Sequence, residues 1–290
     1  MAEFLQFLFS GLTVGAVYAM VALGFTLIYN ASDVINFAQG EFVMLGGMAT
    51  VFLGAAGLPL PIAAVVAVLA TVLVGFALYR FGIAPARGAS VVNLIIITIG
   101  ASIFLRGIAQ VVFDKQFHRL PGFSGDAPIA IGGATLLPQS LWVVGGAGVI
   151  VVGLYLFLNH TTLGKSVLAT AANRLAASLV GIDVSRVLML SFGISAAIGA
   201  VAGILVTPIT FTSYDVGTML ALKGFAAAIL GGLGNPVGAV VGGLVVGTAE
   251  AMSAGYLSSQ YKDSVAFVII LAVLFFMPRG LFGAASVERV

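Results

Sequence analysis

The chain has 290 residues, of which 61% are hydrophobic and 8% charged, against about 25% charged in an ordinary soluble domain. Twelve Lys+Arg and ten Asp+Glu leave a net charge of +2, and there is no cysteine. These figures exclude a soluble enzyme, a disordered chain and a disulfide scaffold, the charge bias is too small to imply a nucleic-acid partner, and the composition argues against an outer-membrane barrel of alternating strands. What remains is an all-α, polytopic bundle of transmembrane helices treated as a single domain over residues 1–290, with the lipid bilayer as its surroundings.

Crossing about 30 Å of hydrocarbon takes about 20 apolar residues. Apolar runs follow one another at 7–29, 42–58, 60–84, 91–113, 140–158, 187–206, 216–233, 237–255 and 264–277. The first basic residue is Arg80, so the first run lacks the charged flank of a cleaved signal peptide and no cleavage is expected. Pro59, Pro61, Pro85, Pro121, Pro138, Pro208, Pro236 and Pro278 are read as lying at or beyond run edges, where a missing N–H costs least. The run at 42–58 has 17 residues, which reach roughly 25 Å, so eight or nine segments are expected to be embedded. With eight crossings both termini share a side; with nine they do not.

Basic residues in short connections mark the cytoplasmic side. Arg80, Arg87, Lys165, Arg174, Arg186, Arg279 and Arg289 make up seven of the twelve. In the connection at 114–139, Lys115 and Arg119 are balanced by Asp114 and Asp126, which suits the outside. His118 and His160 fall in polar connections and are read as solvated side chains, not metal ligands.

Glycine is abundant, with 38 residues, and pairs such as Gly11–Gly15, Gly199–Gly203 and Gly243–Gly247 have the small-xxx-small spacing of close helix packing. Gly164-Lys165-Ser166 is the end of a phosphate loop without its beginning, because position 159 is Asn159 where glycine is required. Asn235-Pro236-Val237 occurs once and reads as a turn. The chain is therefore expected to be a transport subunit and not an enzyme, with no cofactor of its own.

The connection 159–186 carries the most information. Thr162 is placed to cap a helix starting near Gly164. Val167, Ala171, Leu175 and Leu179 recur every four residues as an apolar stripe, and Gly181 is the expected stop. The functional reading is a knob for a partner's cleft; the plain alternative is a helix lying on the lipid or on its own bundle. Inside the runs, Arg106, Lys223 and Glu250 are ionisable, and such residues usually face the bundle interior. Asn36, Gln39 and Glu41 lead into the short second run, the kind of broken entry that holds solutes with backbone groups.

Five stretches together resemble one family. Residues 15–20, Gly-Ala-Val-Tyr-Ala-Met, and 34–41, Val-Ile-Asn-Phe-Ala-Gln-Gly-Glu, lie near the start. Residues 171–187 read Ala-Ala-Asn-Arg-Leu-Ala-Ala-Ser-Leu-Val-Gly-Ile-Asp-Val-Ser-Arg-Val. Residues 222–239 read Leu-Lys-Gly-Phe-Ala-Ala-Ala-Ile-Leu-Gly-Gly-Leu-Gly-Asn-Pro-Val-Gly-Ala, and residues 277–283 read Met-Pro-Arg-Gly-Leu-Phe-Gly. The chain resembles ABC-importer permeases of the branched-chain amino acid (LIV) family, LivH type, over nearly its whole length.

The resemblance implies a multi-pass protein of the bacterial cytoplasmic (inner) membrane. Its implied partners are a LivM-like second permease, two cytoplasmic ABC ATPases carrying ATP and Mg, and a periplasmic amino-acid-binding protein. It also implies an ATPase-coupling site at Leu175, Ala176, Ala177, Gly181 and Ile182, and Asn36, Gln39, Glu41, Lys223 and Glu250 stand as substrate-pathway residues. One departure is the pair Ala171-Ala172, where ABC permeases commonly carry an acidic residue. Related members carry urea, amides or other amino acids, and a stand-alone secondary transporter or channel is the alternative outside the family.

Overall fold

The computed structural model describes residues 2–86 and 88–283, without the side chains of 265, 266 and 270. Arg87 and Arg289, both used above for orientation, lie outside the described residues. In chain order the helices are α1 (Ala2–Ser32), α2 (Gln39–Ala55), α3 (Leu60–Ala77, continued by the π-helical turn Leu78–Ile83), α4 (Val91–Val112), α5 (Pro138–His160), α6 (Thr162–Ala172), α7 (Arg174–Leu179), α8 (Val184–Thr210), α9 (Val216–Gly231), α10 (Pro236–Tyr256) and α11 (Lys262–Phe276). Among the described residues, seven spans are long and apolar enough to cross a membrane, including the stretch that α11 closes. The shorter α2 and α9 complete a bundle of nine among the described residues.

Contacts at the two ends decide the parity. At one end Arg174 pairs with Asp33 at 2.7 Å, Asn30 Nδ2 donates to the carbonyl of Gly234 at 2.8 Å, and the amide of Leu281 donates to Leu230 O. At the other end the amide of Thr135 donates to Gln6 Oε1, and Phe7 stacks edge-on with Tyr256. The start of α1 therefore lies at the end opposite α6 and α7, and residues 277–283 lie with α6 and α7. Nine segments run between the ends, which resolves the eight-or-nine ambiguity. The basic end holds Arg80, Lys165, Arg174, Arg186 and Arg279, and by the positive-inside rule it is cytoplasmic.

The glycine spacings are seams within this one bundle. A Cβ on Gly243 would meet the backbone of Ala19, one on Gly247 the backbone of Gly15, and one on Gly203 the carbonyl of Val43. α1 is thereby buried against α10, and α8 against α2. The core consists of α1, α2, α8, α9 and α10, with Met20, Phe25, Phe42, Phe192 and Leu230 almost wholly enclosed. α4 and α11 stay at the periphery, exposing Ile103, Phe104, Val111, Leu271 and Phe275.

Three local expectations change. The outer connection contains a small hairpin, β1 (Ile129–Ile131) with β2 (Ala134–Leu136), turned on Gly132 and Gly133, both at positive φ. Its signal was present in the sequence as two short apolar runs around Gly-Gly. Pro208 sits inside the last turn of α8 rather than at an edge, and its carbonyl accepts from Arg119 Nε at 3.2 Å. His118 is not simply solvated. Its backbone bridges Thr212, its ring stacks on Phe52, and Nε2 lies 3.0 Å from Asp114. That contact holds the Asp114 carboxyl below the usual carboxylate range. No group of three or more metal-ligating side chains occurs among the described residues.

Candidate functional site

The cytoplasmic segment is built from two helices and not one. Thr161, one residue before the expected cap, accepts from the amide of Gly164 at 2.9 Å. α6 then lies so close to α5 that a Cβ at Gly164 would overlap the carbonyl of Phe157. Asn173 is extended, with φ −164°, and its Oδ1 accepts from the amide of Ala176 at 2.9 Å. This is an N-cap for a second helix, so Asn173 ends α6 and starts α7 in a new direction. The continuous stripe expected from the four-residue spacing is therefore broken. Val167 faces inward, whereas Leu175 is 71% and Leu179 80% exposed.

α7 closes with a Schellman turn. Gly181 has φ +87°, its amide donates to Ser178 O, and the amide of Ile182 donates to Ala177 O. A residue with a Cβ is strained at that φ. Of the five residues implied for coupling, Leu175, Ala176 and Gly181 are exposed, Ile182 is half-buried and Ala177 is buried. Ala177 thus fixes α7 to the protein and presents no surface to a partner. Val180, 76% exposed, was not singled out by the sequence reading and joins Leu175 and Leu179 in an apolar patch on the cytoplasmic end. Arg174 anchors this patch to Asp33 at the exit of α1, and Asp183 both caps α8 and pairs with Arg186 at 2.9 Å.

The polar residues ahead of the second run enter the bundle through a short non-helical segment and the first turn of α2. Thr98 of α4 donates to the carbonyl of Ile35 and accepts from the amide of Phe37. Asn36 Oδ1 accepts from the amide of Ala38 at 3.2 Å, an Asx turn that leads into α2. Gln39 Nε2 donates to Ser195 O, and the Ser195 hydroxyl is shared between Gln39 Oε1 and the carbonyl of Gly24. Gly24 lies eight residues, about 12 Å, before the end of α1, so α2 begins inside the bundle. Its first turn rests on the first turns of α9, where Gly40 meets Gly217 and Ala221. Glu41 accepts from Ser102 Oγ at 2.8 Å through Oε1. Its Oε2 has no hydrogen-bond partner and lies beside Gly217. Asn36, Gln39 and Glu41 are each no more than 1% exposed.

Lys223 and Glu250 belong to a separate cluster nearer the outer end. Lys223 Nζ donates to Glu250 Oε1 at 2.8 Å and to Asp263 Oδ1 at 2.5 Å. The Tyr18 hydroxyl donates to Glu250 Oε2 at 2.8 Å. Removing one partner of such a buried pair costs about 3–5 kcal/mol, because the other charge stays behind uncompensated. The cluster borders a cavity of about 410 Å³, open toward the outer end, whose lining includes Asp215, Lys262, Val17 and Met219. The sequence reading did not single out Tyr18, Asp263 or Ser102 as site residues, since each becomes polar machinery only through the packing, Tyr18 having been read only as part of the stretch at 15–20. Arg106 is half-buried on α4, one turn after Ser102.

An orientation test follows from Ser166, which is half-buried on α6. A cysteine at Ser166, in a chain with none of its own, is expected to resist a membrane-impermeant thiol reagent in intact cells and to react in inverted vesicles. Labelling in intact cells would reverse the assignment of sides.

Residues 7–274 match the family model described as branched-chain amino acid transport system, permease component. The chain is 34% identical over 304 residues to the high-affinity branched-chain amino acid transport permease LivH of Escherichia coli, covering 99% of this chain and 98% of that one. It is 34% identical over 302 residues to BraD of Pseudomonas aeruginosa, with the same two coverages. The ribose import permease RbsC of Escherichia coli is 28% identical over 282 residues, 92% of this chain and 84% of the relative. Among solved structures, PsaBC from Streptococcus pneumoniae in complex with Fab superimposes with a TM-score of 0.54 at 14% identity over 97% of this chain and 98% of that chain, a likeness of fold alone. Seven described helices long and apolar enough to cross a membrane, a twice-capped cytoplasmic segment and near-complete alignment with LivH and BraD lead to one family: the chain is a multi-pass membrane protein of the branched-chain amino acid transport permease family.

Proposed function

We propose that this chain is the transmembrane permease subunit of a binding-protein-dependent ABC importer for branched-chain amino acids in a bacterial cytoplasmic membrane. It works with a LivM-like second permease, a periplasmic binding protein and two ATPases that carry ATP and Mg. The observation that carries this reading is the patch of Leu175 and Leu179 on α7 with Val180, the residue that follows it. Its helix is held rigid by the Asn173 cap, the Arg174–Asp33 pair and the Gly181 turn. Exposed apolar side chains on so short and firmly anchored a helix suit a protein partner that covers them. A docked ATPase pair that grips the patch differently in its open and closed states transmits force through α6 and α8.

In this reading Lys223 and Glu250 meet the solute, because they border the outer cavity and offer a donor and an acceptor to a zwitterion. Asn36, Gln39 and Glu41 set the junction of α2 with α9 behind them. Sequence likeness over the full chain to LivH and BraD favours amino acids over the ribose carried by RbsC. Deleting the gene from its native cell is expected to remove high-affinity uptake of labelled leucine, isoleucine and valine and to leave ribose uptake unchanged. Loss of ribose uptake with leucine uptake intact would overturn the substrate assignment.

A further inference from the structure

The cytoplasmic end of α3 has a feature that neither coupling nor solute passage uses. After Ala77 the helix widens into the π turn Leu78–Ile83, a geometry often found at functional sites. Tyr79 is buried there, with its hydroxyl 3.1 Å from Ser185 Oγ, while Arg80 is turned outward. Arg80 stands twenty residues after Leu60, about 30 Å along the helix, which is the thickness of the hydrocarbon layer. Its guanidinium therefore lies at headgroup level. Between this turn and the first turns of α8 is a cavity of about 550 Å³ lined by Tyr79, Arg80, Pro85, Ser185, Arg186 and Met189.

The charge here is one-sided. Arg80 makes no ion pair among the described residues, and Arg186 has one local carboxylate, Asp183. The neighbouring face of α3 is apolar and open, with Leu69, Leu73 and Phe81 exposed, as a surface in contact with acyl chains must be. Two guanidiniums beside a lipid-facing helix at the cytoplasmic boundary match an anionic phosphodiester in charge and in fork geometry.

We propose that this cavity binds the phosphate headgroup of an anionic phospholipid, with Arg80 and Arg186 as its ligands and the acyl chains along the exposed face of α3. The site joins the end of α3 to Ser185 and Arg186, the residues through which α7 continues into α8. The proposal stands on the cavity and its charges, not on the ATPase-docking reading.

The test uses the full chain purified in neutral detergent, with native mass spectrometry and thermal shift as readouts. Phosphatidylglycerol is expected to be retained at least tenfold more than phosphatidylcholine and to raise the melting temperature. The double variant Arg80→Gln, Arg186→Gln loses that preference, and the pair Arg80→Lys, Arg186→Lys keeps part of it, which separates ligand loss from misfolding. Equal retention of the two lipids overturns the proposal, as does a glutamine variant that keeps the preference. Protection by inorganic phosphate equal to that of the lipid assigns the cavity to free phosphate and overturns the lipid. If the variants alter only ATPase co-purification, the cavity receives a protein side chain and the lipid is again overturned.

Discussion

Replacing Gly40 by alanine is expected to lower the melting temperature of the purified protein by about 2–12 °C. The added Cβ overlaps the carbonyl oxygen of Gly217 and falls 2.8 Å from Ala221 Cβ. The first obstacle is backbone, so no rotamer change relieves it, and α2 must part from α9. Overpacking of this kind costs about 1–3 kcal/mol or more, and each kcal/mol shifts the midpoint by about 2–4 °C in a protein of 150–250 residues. Gly54→Ala, on the same helix, meets nothing within 4 Å and is expected to leave the midpoint within about 1 °C. Thermal scans of the two variants side by side check the point. Equal midpoints would show that the junction of α2 and α9 tolerates separation and that the broken entry does not organise the bundle.

Gly181→Leu, and separately Ala176→Glu, are expected to abolish uptake of labelled leucine while the permease stays in the membrane at its normal level. At Gly181 the positive φ makes any side chain strained, so the Schellman turn opens and α7 loses its direction. At Ala176 an exposed position becomes a carboxylate that the docked partner must bury, at a cost of several kcal/mol without a compensating group. Both sites lie on the cytoplasmic end, far from the cavity of Lys223 and Glu250. The measurement is uptake in cells together with co-purification of the ATPases. Normal uptake in both variants would remove α7 from the coupling role. Lost uptake with intact ATPase binding and stimulated hydrolysis would place it in the solute path.

How much of this was legible beforehand follows from which interactions are local. Composition and run length gave a helical membrane bundle because lipid leaves the backbone no other open solution. Gly181 was readable as a helix stop because its conformational demand is carried by the residue itself. The spacing of Leu175 and Leu179 suggested a single stripe with Val167, but Asn173 reset the helix, and a local cap outweighs a four-residue period. Ala177 could not be told from Ala176 by sequence, since burial depends on which side of α7 meets the bundle. Lys223 and Glu250 were recognisable as costly intramembrane charges, whereas their partners Tyr18 and Asp263 come from α1 and α11 and are assembled only by long-range packing. The burial of Asn36, Gln39 and Glu41 is likewise set by α4, α8 and α9, none of which is near them in sequence.

The central claim is that this chain forms an amino-acid pathway driven by ATPases docked on α7, and reconstitution tests it most directly. Proteoliposomes would contain the chain, the second permease and the two ATPases, with ATP and Mg on the ATPase side and loaded binding protein on the other. The account predicts ATP-dependent movement of labelled leucine toward the ATPase side, abolished by Gly181→Leu in this chain alone. Leucine movement that persists without ATPases or ATP, or that survives the Gly181 variant unchanged, would contradict it.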